Sequence, residues 1–158
     1  MSAEVANSVR GFDLVVAVSN VGIDLAPWAH ALVAQDRAWW RAYPEALQFA
    51  GRKFSTNKIE GVERITSHVT SQSNSGVLAL EVARVIRDKQ IKEFELHGFD
   101  MHGSHYFGKH PEPLRNTSPE RYRTFHGQFR AMRDILVKAG IKVVNKTPGS
   151  SLTCFPFE

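Results

Sequence analysis

Cysteine is nearly absent from this chain: Cys154 is the only one in 158 residues. A single thiol excludes an internal disulfide framework and fits a reducing compartment, so a cytoplasmic location is expected. Cys154 itself reads as a small buried hydrophobe. Long apolar runs are missing too; none approaches the roughly 20 residues that span a bilayer. Met1-Ser2-Ala3-Glu4-Val5-Ala6-Asn7 lacks the basic start and apolar core of a secretory leader. There is no P-loop, no Gly-x-Ser-x-Gly elbow and no Cys-x-x-Cys pair. No internal repeat, low-complexity tract or interdomain linker interrupts the sequence, so residues 1–158 read as one domain.

What is present is ordinary for a globular chain: 42% hydrophobic and 23% charged residues. The net charge of +4 permits an anionic ligand. The basic residues are scattered among acids, as in Arg84-Val85-Ile86-Arg87-Asp88-Lys89, whereas a dedicated nucleic-acid binder shows a cleaner stripe. Nucleic acid is therefore not the expected partner.

Apolar patterning predicts strands at Asp13–Ser19 (buried on both faces), Ala31–Asp36, Lys53–Thr56, Val62–Ile65, Phe94–Gly98 and Ile141–Asn145. Arg37 to Phe49 reads as a helix interrupted at Pro44. A second helix runs from Val77 to Asp88, with Leu78, Val82, Val85 and Ile86 on one face. A third starts at Ser118-Pro119, carries Tyr122, Phe125, Phe129, Met132, Leu136 and Ala139 as a stripe, and stops at Gly140. Strands alternating with helices predict an α/β fold, a mostly parallel sheet covered by helices on both faces. In such sheets ligands sit at the carboxyl ends of the strands. The polar segments Ser19-Asn20, Asp36, Asp100 onward and Asn145–Ser151 fall at those ends.

Three groups of residues are candidates for chemistry. Asn74-Ser75-Gly76 opens a helix, which suits either an anion held on free N–H groups or an ordinary cap. The segment His97–His110 holds four of the seven histidines, with Asp100 and Tyr106 and three glycines. His97, Asp100, His102, His105 and His110 are acceptable metal ligands, but their spacing matches no metal signature. One histidine is enough for a general base. His30, His68 and His126 lack that context and read as structural or surface residues. Ser150 and Ser151, after the last strand, either bind phosphate or terminate the strand. Trp28, Trp39 and Trp40 read as packing residues, and the Trp39-Trp40 region leaves room for a dimer face.

In order along the chain stand Asn74-Ser75-Gly76-Val77, Gly98-Phe99-Asp100, Ser104-His105-Tyr106-Phe107-Gly108-Lys109-His110 and Pro148-Gly149-Ser150-Ser151-Leu152. This series resembles the bacterial sialyltransferases of glycosyltransferase family 42, and also the 6-hydroxymethylpterin pyrophosphokinase-like proteins and small phage-encoded members of that superfamily. The resemblance covers roughly Asp13 to the C-terminus. It implies a Rossmann-like three-layer domain that transfers a group from a nucleotide-activated donor without a metal or other cofactor. By position it carries nucleotide contacts to Ser75, Gly76 and Asp100, and donor-binding positions to Asn20 and Asp36; Asp36 departs from the family's amide. It implies His110 as general base, displaced by one residue because Lys109 intrudes, with His105 as second choice. His102 or Tyr106 would stand near the leaving phosphate.

Two departures stand beside the likeness. The family's Gly-x-Gly-Pro-Ser turn after its first strand is missing, and the loop from Asp100 to His105 is shorter than the sialyltransferase lid. The expected function is thus a nucleotide-dependent transferase, most like a glycosyltransferase, in the cytoplasm (a host's, for a phage protein). The alternatives are a non-catalytic nucleotide- or partner-binding protein that keeps the fold, such as a phage-encoded modulator, and a metal-dependent hydrolase on the histidine loop.

Overall fold

The computed structural model describes residues 1–69, 74–103, 105–106, 108–112, 114 and 116–158. Ser104 and Phe107, part of the string that carries the resemblance, lie outside the described residues. The chain divides into two compact units, Ser2–Ile86 and Arg87–Glu158 with Met1.

The first unit is a four-stranded parallel sheet. Helix α1 (Ala3–Ser8) leads to β1 (Val16–Val18), α2 (Asn20–Asp24), β2 (Ala31–Val33), α3 (Arg37–Ala42), β3 (Arg52–Ser55), β4 (Glu63–Arg64) and α4 (Ser75–Ile86). The strands lie in the order β1-β2-β3-β4, with Val18 opposite Val33 and Val33 opposite Phe54. The observed β1 is shorter than the apolar run Asp13–Ser19 and only its centre, Ala17, is buried, because β1 is an edge strand of this sheet. Its Val16 and Val18 pack partly covered against a core of Ala31, Val33, Phe54, Leu78, Ala79 and Val82. Fully burying a side chain of this size contributes about 1.5–3 kcal/mol.

Helix α4 is buried at every position from Val77 to Ala83, while Val85 is 54% exposed. The expected stripe through Val85 is therefore wrong: the helix is enclosed along its middle and open near its end. Glu81, wholly buried there, is bound by Arg84 at 2.8 Å and by His68 Nδ1 at 2.6 Å. A buried carboxylate needs such partners because its charge has lost water. Pro44 ends α3 as expected, and the chain continues as a 3₁₀ turn, Pro44–Gln48.

The second unit pairs β5 (Glu93–Leu96) with β6 (Lys142–Asn145), again in parallel, joined through α5 (Pro119–Lys138). Ser118 Oγ accepts the Arg121 N–H, and Pro119 fills the first helical position. At the other end Gly140 takes φ +69°, its N–H donates to Val137 O, and Ile141 N–H donates to Leu136 O. That is a Schellman stop, which needs a left-handed residue. Of the predicted stripe, Phe129, Met132 and Leu136 are fully buried, with Phe129 meeting Phe99 and Phe155 edge to face. Among the described residues no helix is long and apolar enough to cross a membrane.

Candidate functional site

In the four-stranded unit, a polar network joins the carboxyl ends of β2 and β3 to the start of α4. Gln35, directly after β2, is its hub. The Gln35 N–H donates to Ser75 Oγ at 3.0 Å, and its Oε1 accepts the Asn74 N–H at 2.7 Å. The Gln35 carbonyl accepts from Ser55 Oγ and from Asn57 Nδ2. Asn74 caps α4, its Oδ1 taking the Val77 N–H at 3.1 Å. Of the two readings of Asn74-Ser75-Gly76, the cap is observed, and the motif stands at the carboxyl edge of the sheet.

Asn20 is buried, and its Oδ1 accepts the Trp39 indole N–H at 2.9 Å. Trp40 donates to Ala34 O at 2.8 Å. Trp39 and Trp40 are buried packing residues, as expected, and they fasten α3 beneath the exits of β1 and β2. Asp36 lies exposed at the start of α3 and makes no side-chain cap. Ser19, between β1 and α2, has φ +49° and ψ −128°. For a non-glycine residue this is strained by about 1–3 kcal/mol.

In the two-stranded unit, hydroxyls bind two loops together at the carboxyl end. Thr147 Oγ1 accepts the Phe99 N–H at 3.0 Å and donates to Leu96 O. Ser150 Oγ donates to Phe99 O and accepts from Asn145 Nδ2 and Leu152 N–H. Ser151 Oγ donates to Met101 O at 3.0 Å, and its N–H donates to Asp100 O. The Ser150 hydroxyl thus ties the loop after β6 to the loop after β5. His102 Nε2 stands 3.2 Å from Gly149 O, and His97 Nε2 is 2.9 Å from Glu95 Oε2. Asp100 is half-buried.

His105 and His110 are neighbours, their ring centroids 4.5 Å apart and nearly edge to face. A turn closed by Gly108 N–H to His105 O, with Gly108 at φ +91°, folds the segment back and brings them together. Burial holds the His105 imidazole below the ordinary histidine value, which favours its neutral form. The His110 N–H is held by Asn116 Oδ1 at 2.9 Å. Tyr106 is exposed.

Three residues escaped the sequence reading. Gln35 lay inside a predicted strand and gave no signal of its own. His126 lies half-buried with Nε2 3.4 Å from Ser151 Oγ, its acidity raised by burial and by Arg130. Tyr122, taken as part of the helix stripe, reaches Gly103 O; burial and the Asp100 charge push its phenol up. Among the described residues no group of three or more His, Cys, Asp or Glu is placed to hold a metal ion.

Asn20, Gln35, Asp36, Asn74, Ser75 and Gly76 thus belong to one unit, and Asp100, His102, His105, Tyr106, His110, Ser150 and Ser151 to the other. Comparison of the chain with protein-family models, with curated proteins and with solved structures gives no match.

Proposed function

We propose that this protein is a nucleotide-dependent transferase of glycosyltransferase type, with a Rossmann-like three-layer arrangement. Its donor nucleotide is held at the carboxyl ends of β1 and β2 and the start of α4. The observation that carries this reading is the polar network through Gln35, Asn74 and Ser75, with Asn20 fixed beside it. It lies at the sheet edge where open α/β folds take their ligands.

The base in this reading is a histidine of the His105–His110 pair, with His110 first. A neutral imidazole removes the proton from the acceptor hydroxyl as the donor's anomeric carbon–oxygen bond breaks. The oxygen then bonds to that carbon, and the nucleotide phosphate departs with the bonding electrons. The family resemblance supplies Asp100 as a nucleotide contact and His102 or Tyr106 beside the leaving phosphate.

Calorimetric titration with CMP and with CMP-, CDP-, UDP- and GDP-sugars tests the nucleotide half, and release of free sugar or transfer tests the reaction. His110→Ala is expected to lower turnover by about 10²–10⁴-fold while donor binding persists. Unchanged turnover removes His110 from the role and passes it to His105. The second reading, a non-catalytic binder, is favoured by the missing glycine-rich turn, where Ser19 stands instead. Tight binding with neither hydrolysis nor transfer supports that reading.

A further inference from the structure

The turn after β1 keeps part of a dinucleotide-binding pattern, with one of its three glycines. Ser19 and Gly22 stand at the spacing of the last two glycines in Gly-x-Gly-x-x-Gly, where β1 passes into α2 within a β1–α2–β2 unit, and the first position of the pattern falls on Ala17 at the centre of β1. Ser19 adopts the positive φ that a glycine normally supplies. Gly22 does the work of the last glycine, close packing of helix on strand. A Cβ there would stand 2.5 Å from Leu32 Cδ1 and 3.3 Å from the Ala17 Cβ. In such units an acidic residue about 20 positions beyond the first glycine, at the end of the second strand, hydrogen-bonds a ribose hydroxyl. Asp36 stands three residues beyond the end of β2, at the start of α3 and 19 positions beyond Ala17.

We propose that the Asp36 carboxylate accepts hydrogen bonds from the ribose hydroxyls of the bound nucleotide, so that the ligand is a ribonucleotide with a free 2′-hydroxyl. This rests on the nucleotide reading above and adds which part of the ligand is recognised, and by what.

Position, availability and charge each support the assignment. The Ser19 N–H donates to Val33 O at 2.9 Å, so the turn and Asp36 leave adjacent parallel strands at the same end. Asp36 holds α3 through its backbone alone: its carbonyl accepts the N–H of Trp39 and of Trp40. The carboxylate makes no cap and, among the described residues, no hydrogen bond or ion pair, and the residue is exposed. Its neighbour Arg37 turns instead to Lys58 O at 3.3 Å. The buried indoles of Trp39 and Trp40, bonded to Asn20 and Ala34, hold that end of α3 firmly against both strand exits. An unneutralised carboxylate repels phosphate and accepts from hydroxyls, so the neutral sugar is the part of a nucleotide it takes.

The test is calorimetric titration of the wild-type protein and Asp36→Ala with CMP, UMP, AMP and GMP and with their 2′-deoxy counterparts. Circular dichroism confirms that the variant is folded. At least one ribonucleotide is expected to bind the wild type, with its 2′-deoxy form about tenfold to a hundredfold weaker. Asp36→Ala is expected to bind both at the weaker level. Equal binding of the two sugars by the wild type overturns the assignment, as does discrimination that survives in Asp36→Ala. Both of those outcomes leave the nucleotide reading in place. Failure of every nucleotide to bind overturns that reading and this assignment together.

Discussion

The two units use the same device, parallel strands with polar carboxyl ends, but build it from different groups. In Ser2–Ile86 the strand exits are joined by carboxamides and caps centred on Gln35, and eight Lys and Arg balance eight Asp and Glu. In Arg87–Glu158 hydroxyls of Thr147, Ser150 and Ser151 clasp the opposing loop, and twelve Lys and Arg face eight Asp and Glu. The whole net charge of +4 therefore resides in the second unit, as do five of the seven histidines. The difference lies in the chemistry that each edge offers. Neutral amides suit recognition of a polar, partly neutral ligand such as a nucleoside. Histidines on a positively charged unit suit proton transfer and the attraction of an anion.

The comparison can be broken first at the cores. Phe129→Ala removes a fully buried ring that meets Phe99 and Phe155, and is expected to cost about 3–5 kcal/mol in urea denaturation. The glycines of the first unit come next. A Cβ at Gly51 would stand 2.6 Å from His30 O and 2.7 Å from Ala29 O, both backbone atoms, whereas at Gly22 it meets mainly the Leu32 side chain. Overpacking of this kind costs about 1–3 kcal/mol, and Gly51→Ala is expected to exceed Gly22→Ala because backbone yields less than a side chain. Equal losses would show that Leu32 has no more freedom than a main-chain carbonyl.

The two polar clasps give the closest contest. Gln35→Ala strips the acceptor from the Asn74 N–H, and Thr147→Val strips it from the Phe99 N–H. Each is expected to cost about 1–3 kcal/mol, the price of a buried donor left alone. Since Gln35 is buried and its bond shorter, its loss should be the larger; the reverse order would make the hydroxyl clasp the firmer one.

The smallest effect is with pH. His105 and His126 resist protonation when folded, while the unfolded chain takes up protons near 6.5. Below that value the unfolded state binds more protons, so stability falls as pH drops through 6.5 and levels off beneath the native values. Above it both states are neutral at these residues and the effect vanishes. Hydrogen exchange should place the acid-sensitive amides around His105 and His126; no change between pH 7.5 and pH 5.5 would contradict the burial of these rings.

Much of the local structure was legible. The Ser118-Pro119 start and Gly140 stop of α5 follow from capping chemistry that acts within one turn, and both are found where the residues indicated. The interruption at Pro44 is equally local, since proline lacks the N–H that a helix needs. The face of α4 was misjudged at Val85 because how much of a helix is enclosed depends on its neighbours rather than its period. Among candidate residues, Asn74, Ser75 and Asn20 were visible as polar residues at element ends. Gln35 was hidden because its partners, Asn74 and Ser75, lie 39 and 40 positions away in the chain. His126 was read as structural or surface because it stands outside the histidine-rich segment, which says nothing of the Ser151 hydroxyl 25 positions later.

The sequence by itself determined the alternation of short strands and helices, their caps and stops, and the polar character of the strand exits, since each depends on side-chain chemistry within a few residues. Only the tertiary structure decided that Ser19 would take a glycine's conformation, that Gln35 would join a strand to a distant helix, and that the Asp36 side chain would have no partner among the described residues. These depend on which remote atoms come within about 3 Å of one another, a relation that folding creates and that no local pattern contains.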